Sequence, residues 1–253
     1  MEIKGILLDK DGTLIDFYEV WGKAAGPVAA SLLKEYGVMV NDENKRRLLK
    51  CLGVEKGIVD SEGPLAWKSY RGIAEDIRPL LEELSGKKAD TGELEKQLTE
   101  LFFKETVERR ESYPVFTDVK KMLEKLNQMG IQTGLATTDE PASTRHCMEK
   151  LGVTEYISFW GTAGTDLPVK PDARLIEMAA QTWGIRREEI AVVGDTPHDM
   201  QFAKNGGALA VGVLSGTGKK ESMKQCADVL IFSVVDLVHL MRKCNRIEEA
   251  EGI

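Results

Sequence analysis

The residues with chemical capacity fall in four short stretches: Asp9-Lys10-Asp11-Gly12-Thr13, Thr137-Thr138-Asp139, Val169-Lys170-Pro171-Asp172 and Gly194-Asp195-Thr196-Pro197-His198-Asp199. An Asp-rich turn by itself is a turn or helix cap; the combination says more. Of two carboxylates spaced as Asp9 and Asp11 are, one can attack an electrophile while the other handles a proton. Asp195 adds a third acid and completes a set of hard oxygen donors. Mg²⁺ suits such a set, because it takes few carboxylates and keeps waters. The cation and Lys170 together offset the acidity and draw in a phosphate dianion, and Thr137 offers a hydroxyl to one of its oxygens.

These stretches need a scaffold that brings them to one edge. Ile3–Leu8 is a short apolar run with an abrupt polar stop at Asp9, the pattern of a buried parallel strand. Residues 18–112 are rich in Ala, Leu, Glu and Lys with helical periodicity, as in Leu94-Leu98-Leu101-Phe102. Gly53, Gly63-Pro64, Pro79, Gly86 and Gly92 are expected to cut this part into short helices, with no strand. Beyond Pro114, apolar runs at 131–136, 156–160, 190–193, 208–213 and 229–232 alternate with helical patterns ending near Gly130, Gly152, Gly184, Gly206 and Arg242. Such alternation predicts an α/β fold with a doubly wound, Rossmann-like parallel sheet. Residues 1–17 and 113–253 form that core, and 18–112 an inserted all-helical domain. Residues 243–253 are expected to fray. Ligands of an open parallel sheet bind at the carboxyl ends of its strands, where the four polar stretches lie.

Composition narrows the class. A chain of 253 residues with 42% hydrophobic and 30% charged residues is ordinary for a globular protein. The net charge of −7 and a pI near 5.2 argue against nucleic-acid or anionic-membrane partners. No apolar run is long enough for a bilayer, and Met1–Gly5 leads straight into a strand rather than a signal peptide. Cys51, Cys147, Cys226 and Cys244 form no metal or CxxC spacing and read as reduced thiols of a cytoplasmic protein; His146, His198 and His239 are too dispersed for zinc. Gly216-Thr217-Gly218-Lys219 lacks the glycine and hydroxyl spacing of a phosphate loop, with Val213 and Lys220 in the way, and reads as a loop beside the site.

At Asp9-Lys10-Asp11-Gly12-Thr13-Leu14, Thr137, Lys170-Pro171 and Gly194–Asp199 the chain resembles the haloacid dehalogenase-like hydrolase superfamily, with the elements in the family's order. The helical insert after the first motif looks like the cap of its phosphoglycolate phosphatase and β-phosphoglucomutase branch. The resemblance implies a nucleophile at Asp9 that forms an aspartyl-phosphate, and a general acid/base at Asp11. It implies Mg²⁺ held by the Asp9 carboxylate, the Asp11 backbone carbonyl and Asp195, with Asp199 an auxiliary ligand. Thr137, Thr138 and Lys170 would hold the phosphoryl group. Two positions depart from the pattern. Lys10 stands where an apolar residue is usual; by strand alternation its side chain should point away from both acids. Thr138 replaces an Asn, and a hydroxyl reaches less far than an amide.

The implied activity is Mg²⁺-dependent hydrolysis of a small phosphorylated metabolite such as phosphoglycolate or a sugar phosphate, by a monomer or homodimer. A phosphomutase is the alternative. A catalytically silent binding protein on the same fold would have lost one of the acids, and none is lost. The cap residues to watch are Trp21, Lys23, Trp67, Lys68, Tyr70 and Arg71; on one helix Lys68 and Arg71 would share a face.

Overall fold

A computed structural model of the chain describes residues 2–108, 110–163 and 168–246. Strand β1 (Gly5–Leu8) is buried throughout, as a strand covered on both faces must be. Then come α1 (Lys23–Glu35), α2 (Asp42–Cys51), a small hairpin of β2 (Val54–Glu55) and β3 (Ile58–Val59), α3 (Pro64–Trp67), α4 (Tyr70–Ser85) and α5 (Thr91–Phe103). The remainder alternates: α6 (Val119–Gln128), β4 (Gln132–Ala136), α7 (Pro141–Lys150), β5 (Ile157–Gly161), α8 (Arg174–Trp183), β6 (Ile190–Gly194), α9 (Pro197–Gly206), β7 (Leu209–Val213), α10 (Lys220–Cys226), β8 (Val229–Ile231) and α11 (Leu237–Cys244).

Six strands form one parallel sheet in the order β5-β4-β1-β6-β7-β8. The chain steps outward from β1 to β5, returns to the other side of β1, and steps outward again to β8. The ends of β1, β4 and β6 therefore meet where the winding reverses, the place such sheets bind ligands. Leu8 lies level with Leu135 on one side and Val193 on the other. That register brings the next residues of all three strands to one level.

Alternation along β1 serves two apolar layers. Ile6 and Leu8 belong to a cluster that continues into the inserted helices through Leu32 and Phe102, while Leu7 packs on the opposite face with Ile176 and Phe202. The two chain crossings between sheet and insert run side by side. Ile15 pairs with Val115, and the Asp16 amide donates to the Pro114 carbonyl at 2.9 Å. Among the described residues no helix is long and apolar enough to cross a membrane, and the four cysteines are free.

Several expectations need correction. The insert holds the hairpin β2–β3, two residues per strand and too short for alternation to register. Lys56 and Gly57, with φ of 52° and 79°, supply the two left-handed positions of its tight turn. Pro79 lies inside α4 rather than breaking it: an interior proline costs about 3 kcal/mol, and the helix buries Ile73, Ile77, Leu80 and Leu81 along one side to offset that. Gly92 lies in the first turn of α5, where Asp90 caps the helix. Helix α10 was not anticipated. Residues 243–246 are not frayed, because the Asn245 side chain exchanges two 2.7 Å hydrogen bonds with the backbone of Ile3. The remaining residues of that expected fray, 247–253, lie outside the described ones.

Candidate active site

The Asp9 amide donates to the Val193 carbonyl at 2.8 Å, one step past the β1–β6 ladder. This carries the Asp9 side chain to the end of β6, beside Asp195. Gly12 then turns the chain at φ 84°, and a Cβ there would run into the Asp195 carboxylate. Asp199 is placed by α9: Thr196 caps the helix, Pro197 opens it, and Thr196 and Asp199 close a reciprocal capping box. Asp199 thus both caps and serves the site. Its Oδ2 accepts from Thr196, and its Oδ1 accepts from Lys170 Nζ at 2.6 Å. Lys170 Nζ also donates to Asp9 Oδ1 at 2.6 Å.

Carboxylate oxygens of Asp9, Asp195 and Asp199 all lie within 4.8 Å of one another, and all three residues are buried. Among the described residues one ammonium, that of Lys170, is in contact with this group. Burial pushes the Asp9 carboxyl up most, Lys170 pulls it back, and with Asp199 and Asp11 nearby it stands at about 7. Burial, then repulsion from Asp9 and Asp199, hold Asp195 well above the usual carboxylate range despite two hydrogen bonds from Thr217. Burial weakens the charge on Lys170, but Asp199 and Asp9 outweigh it and keep the ammonium protonated. Three clustered acids against one base, all oxygen donors, fit a hard divalent cation.

The Asp11 side chain is not in that group, so a part for Asp11 in holding a cation falls to its backbone carbonyl. The carboxylate turns aside: Oδ1 accepts from Trp21 Nε1 at 2.5 Å, and Oδ2 pairs with Lys10 Nζ at 2.6 Å. Lys10 therefore does not point away from the acids. It is buried, and its ammonium also sits 3.1 Å from Asp139 Oδ2. Alternation governs where a Cβ leaves the backbone; a four-carbon stem can return its charge to the acids, and a buried ammonium requires partners. Burial lowers the affinity of Lys10 for its proton, but Asp11 and Asp139 more than restore it. Burial raises the Asp11 carboxyl above its usual range against the pull of Lys10.

Thr137 and Thr138 both line the cavity over these acids. Thr137 does not cap α7, whose cap position is Glu140; its hydroxyl accepts from the Asp139 amide at 3.2 Å. The cavity is about 40 Å³ and is roofed by Trp21, Leu65, Trp67, Lys68, Tyr70 and Ile73 of the insert. Lys68 precedes the Ser69 cap of α4, so it shares no helix face with Arg71. Lys68 faces the cavity and pairs with Asp76 at 2.7 Å; Arg71 is exposed and pairs with Glu75 and Glu95. Lys23 is exposed too, paired with Glu19.

Three residues to which the sequence assigns no role shape this site. Thr217 donates to Asp195 Oδ2 from its amide at 2.7 Å and its hydroxyl at 3.1 Å, so the glycine-flanked loop holds an acid rather than a phosphate. His198 lines the cavity and stacks on Trp67. Asp139 joins Lys10 to Thr137. Its place right after a strand end was the available signal.

Residues 3–207 match the family model for haloacid dehalogenase-like hydrolases. The chain belongs to that family. It is an enzyme, and it has relatives named as phosphatases. It is 26% identical to a phosphoglycolate phosphatase of Shigella boydii serotype 4 over 247 residues, 94% of this chain and 92% of that one. It is 32% identical to a phosphoserine phosphatase of Thermus thermophilus over 141 residues, 55% of this chain and about half (53%) of that protein. In fold it is similar to a predicted phosphoglycolate phosphatase of Haemophilus somnus 129pt, with a TM-score of 0.72 at 15% identity over 95% of this chain and 98% of that one. A β-phosphoglucomutase of Clostridium difficile shares the fold with a TM-score of 0.67 at 15% identity, over 96% of this chain and 98% of the other.

Proposed function

We propose that the protein is a Mg²⁺-dependent phosphatase of small phosphomonoesters, of the phosphoglycolate or sugar-phosphate type, acting through an aspartyl-phosphate. The observation that carries this reading is the cluster of Asp9, Asp195 and Asp199 with Lys170 bridging two of them, beneath a cavity of about 40 Å³.

Asp9 is the nucleophile. Its carboxylate oxygen bonds to phosphorus as the bond from phosphorus to the leaving oxygen breaks. Asp11, carrying its proton, gives it to that oxygen, so the product leaves as an alcohol. The Asp11 carboxylate then takes a proton from water, whose oxygen attacks phosphorus and breaks the bond to Asp9. Inorganic phosphate leaves and both acids are restored. Lys170 holds Asp9 in line and offsets charge on the transferring oxygens, and the Thr137 and Thr138 hydroxyls orient them. Asp9, Asp195, Asp199 and the Asp11 carbonyl would hold Mg²⁺, which supplies further charge stabilisation at the phosphoryl group.

Residues 18–112 act as the cap. The low volume under Trp21, Trp67 and Tyr70 favours a compact leaving group and excludes water, and Lys68 is the cap cation available to a second anionic group on it. A panel of small phosphomonoesters, with Mg²⁺ and with EDTA, tests the reading. Phosphate release that needs Mg²⁺ and favours the more compact substrates of the panel is expected. Release indifferent to prolonged chelation overturns it. Phosphoryl transfer to a sugar phosphate in place of release, checked with a sugar bisphosphate, would make the enzyme a mutase.

A further inference from the structure

Lys10 and Asp139 form a buried network that the mechanism above does not use. The Lys10 ammonium touches one Asp11 oxygen from the core side; the indole of Trp21 holds the other oxygen from the cap side. The same ammonium lies 3.1 Å from Asp139 Oδ2 and 5.7 Å from the centre of the Trp21 ring. Asp139 is tied down at both ends. Its Oδ1 accepts from the Glu140 amide at 2.8 Å, and its own amide donates to Thr137 Oγ1. A continuous chain of contacts thus runs from the Asp11 carboxyl through Lys10 and Asp139 to the hydroxyl at the phosphoryl position.

We propose that Lys10 is a positioning residue: with Asp139 it fixes the Asp11 carboxyl for proton delivery to the leaving oxygen and locks that position to Thr137. The proposal rests on the reading of Asp11 as general acid. Three features support it. The contact is short and charge-assisted, so it holds one carboxylate oxygen in a definite direction. The side chains of Lys10 and Asp139 are each only 3% exposed, so water does not substitute for either. And proton transfer depends on placement within hydrogen-bond reach, so loosening the acid reduces the rate even where the acid remains.

This role has a signature that a structural lysine lacks. A poor leaving group needs the proton; a good one does not. The experiment compares kcat/KM for phenyl phosphate and 4-nitrophenyl phosphate in the full-length enzyme with Mg²⁺, for wild type and for Lys10→Met, Lys10→Arg, Asp139→Asn and Asp11→Asn. Proton delivery contributes about 10²–10⁴-fold, so Lys10→Met is expected to lower the phenyl to 4-nitrophenyl ratio by about tenfold or more. Asp139→Asn should lower it in the same direction, and Lys10→Arg, which keeps the cation, should restore it to within about threefold. If Lys10→Met does not fold, Asp139→Asn carries the test, because it leaves the Lys10–Asp11 pair intact. An unchanged ratio in both Lys10→Met and Asp139→Asn, with both substrates slowed alike or neither slowed, overturns the proposal. If Asp11→Asn itself leaves the ratio unchanged, the failure lies with Asp11 as general acid instead.

Discussion

The Trp67 indole stacks on the His198 imidazole, with ring centres 4.0 Å apart and planes 16° from parallel. Trp67 belongs to the insert and His198 to the first turn of α9, one residue from Asp199. The stack joins the cavity roof to the side that carries the acids. Glu62 adds a contact to His198 Nε2 at 3.5 Å from the same side of the insert, and Asp60 approaches Lys219 at 3.7 Å. Such a stack is worth about 0.5–1.5 kcal/mol beyond the area it covers. Trp67→Ala should therefore raise KM about three- to tenfold with a smaller change in kcat, as expected when the lid closes less often. Steady-state kinetics on the best natural-type substrate decide it; unchanged KM would mean that the stack plays no part in closure.

Asp9→Asn keeps the shape of the side chain and removes the proposed nucleophile. Turnover should fall by well over about a hundredfold, while circular dichroism and thermal unfolding show an intact fold. Activity above about a hundredth of wild type would count against an aspartyl-phosphate.

The acid cluster makes stability depend on pH and metal together. In the folded protein the Asp9 carboxyl stands at about 7 against an ordinary 3.8, and Asp195 is raised as well. Between those values the folded state binds more protons than the unfolded chain. The contribution of Asp9 is therefore most favourable at low pH and is lost as pH rises through 3.8 to about 7, and that of Asp195 runs in the same direction. In EDTA, Tm should decline across this window more steeply for wild type than for Asp195→Asn, which lacks one of the repelling charges. Mg²⁺ binds the ionised form, so it should raise the Tm of wild type increasingly toward neutral pH and do little for Asp195→Asn. Scanning calorimetry at several pH values, with and without Mg²⁺, is the measurement. A wild-type Tm indifferent to Mg²⁺ at pH 7.5 would remove the metal site. Ca²⁺, with longer bonds and more ligands, should bind but support little turnover.

Lys170→Ala should be as damaging for an aryl phosphate with a good leaving group as for one with a poor leaving group, because Lys170 contacts Asp9 and in the proposed mechanism acts on the phosphoryl oxygens rather than on the departing oxygen. Both substrates should lose about 10²–10³-fold in kcat/KM. A loss that grows with leaving-group basicity would place Lys170 in the proton-transfer path and contradict this assignment.

Much of this protein is legible without coordinates because its signals are local. Strand ends in a buried parallel sheet are marked by an apolar run stopping at a polar residue, as at Asp9 and Asp195. Ordering those stops along the chain gathers Asp9, Asp11, Thr137, Asp195 and Asp199 at one edge, since a doubly wound sheet has one such edge; Lys170 lies at no strand end, and only its order in the family pattern and the following Pro171 single it out. The apolar pattern places helix α9 from Met200, with Asp199 as a candidate cap; the helix starts three residues earlier, at Pro197, where Thr196, Pro197 and Asp199 form a start signal within four residues. What remained hidden depends on distances the chain order does not encode. Period-2 alternation locates the Lys10 Cβ but not its ammonium, whose position is set by which buried acids lie within reach, Asp11 next to it and Asp139 from the loop after β4. Thr217 looked like loop chemistry until the sheet brought it against Asp195, and the pairing of Trp67 with His198 exists only because the insert folds back over α9. Backbone pattern alone determined the sheet and the list of acids; the partners of each charge were decided by tertiary packing, since a long side chain buried away from water must end wherever a compensating group is found.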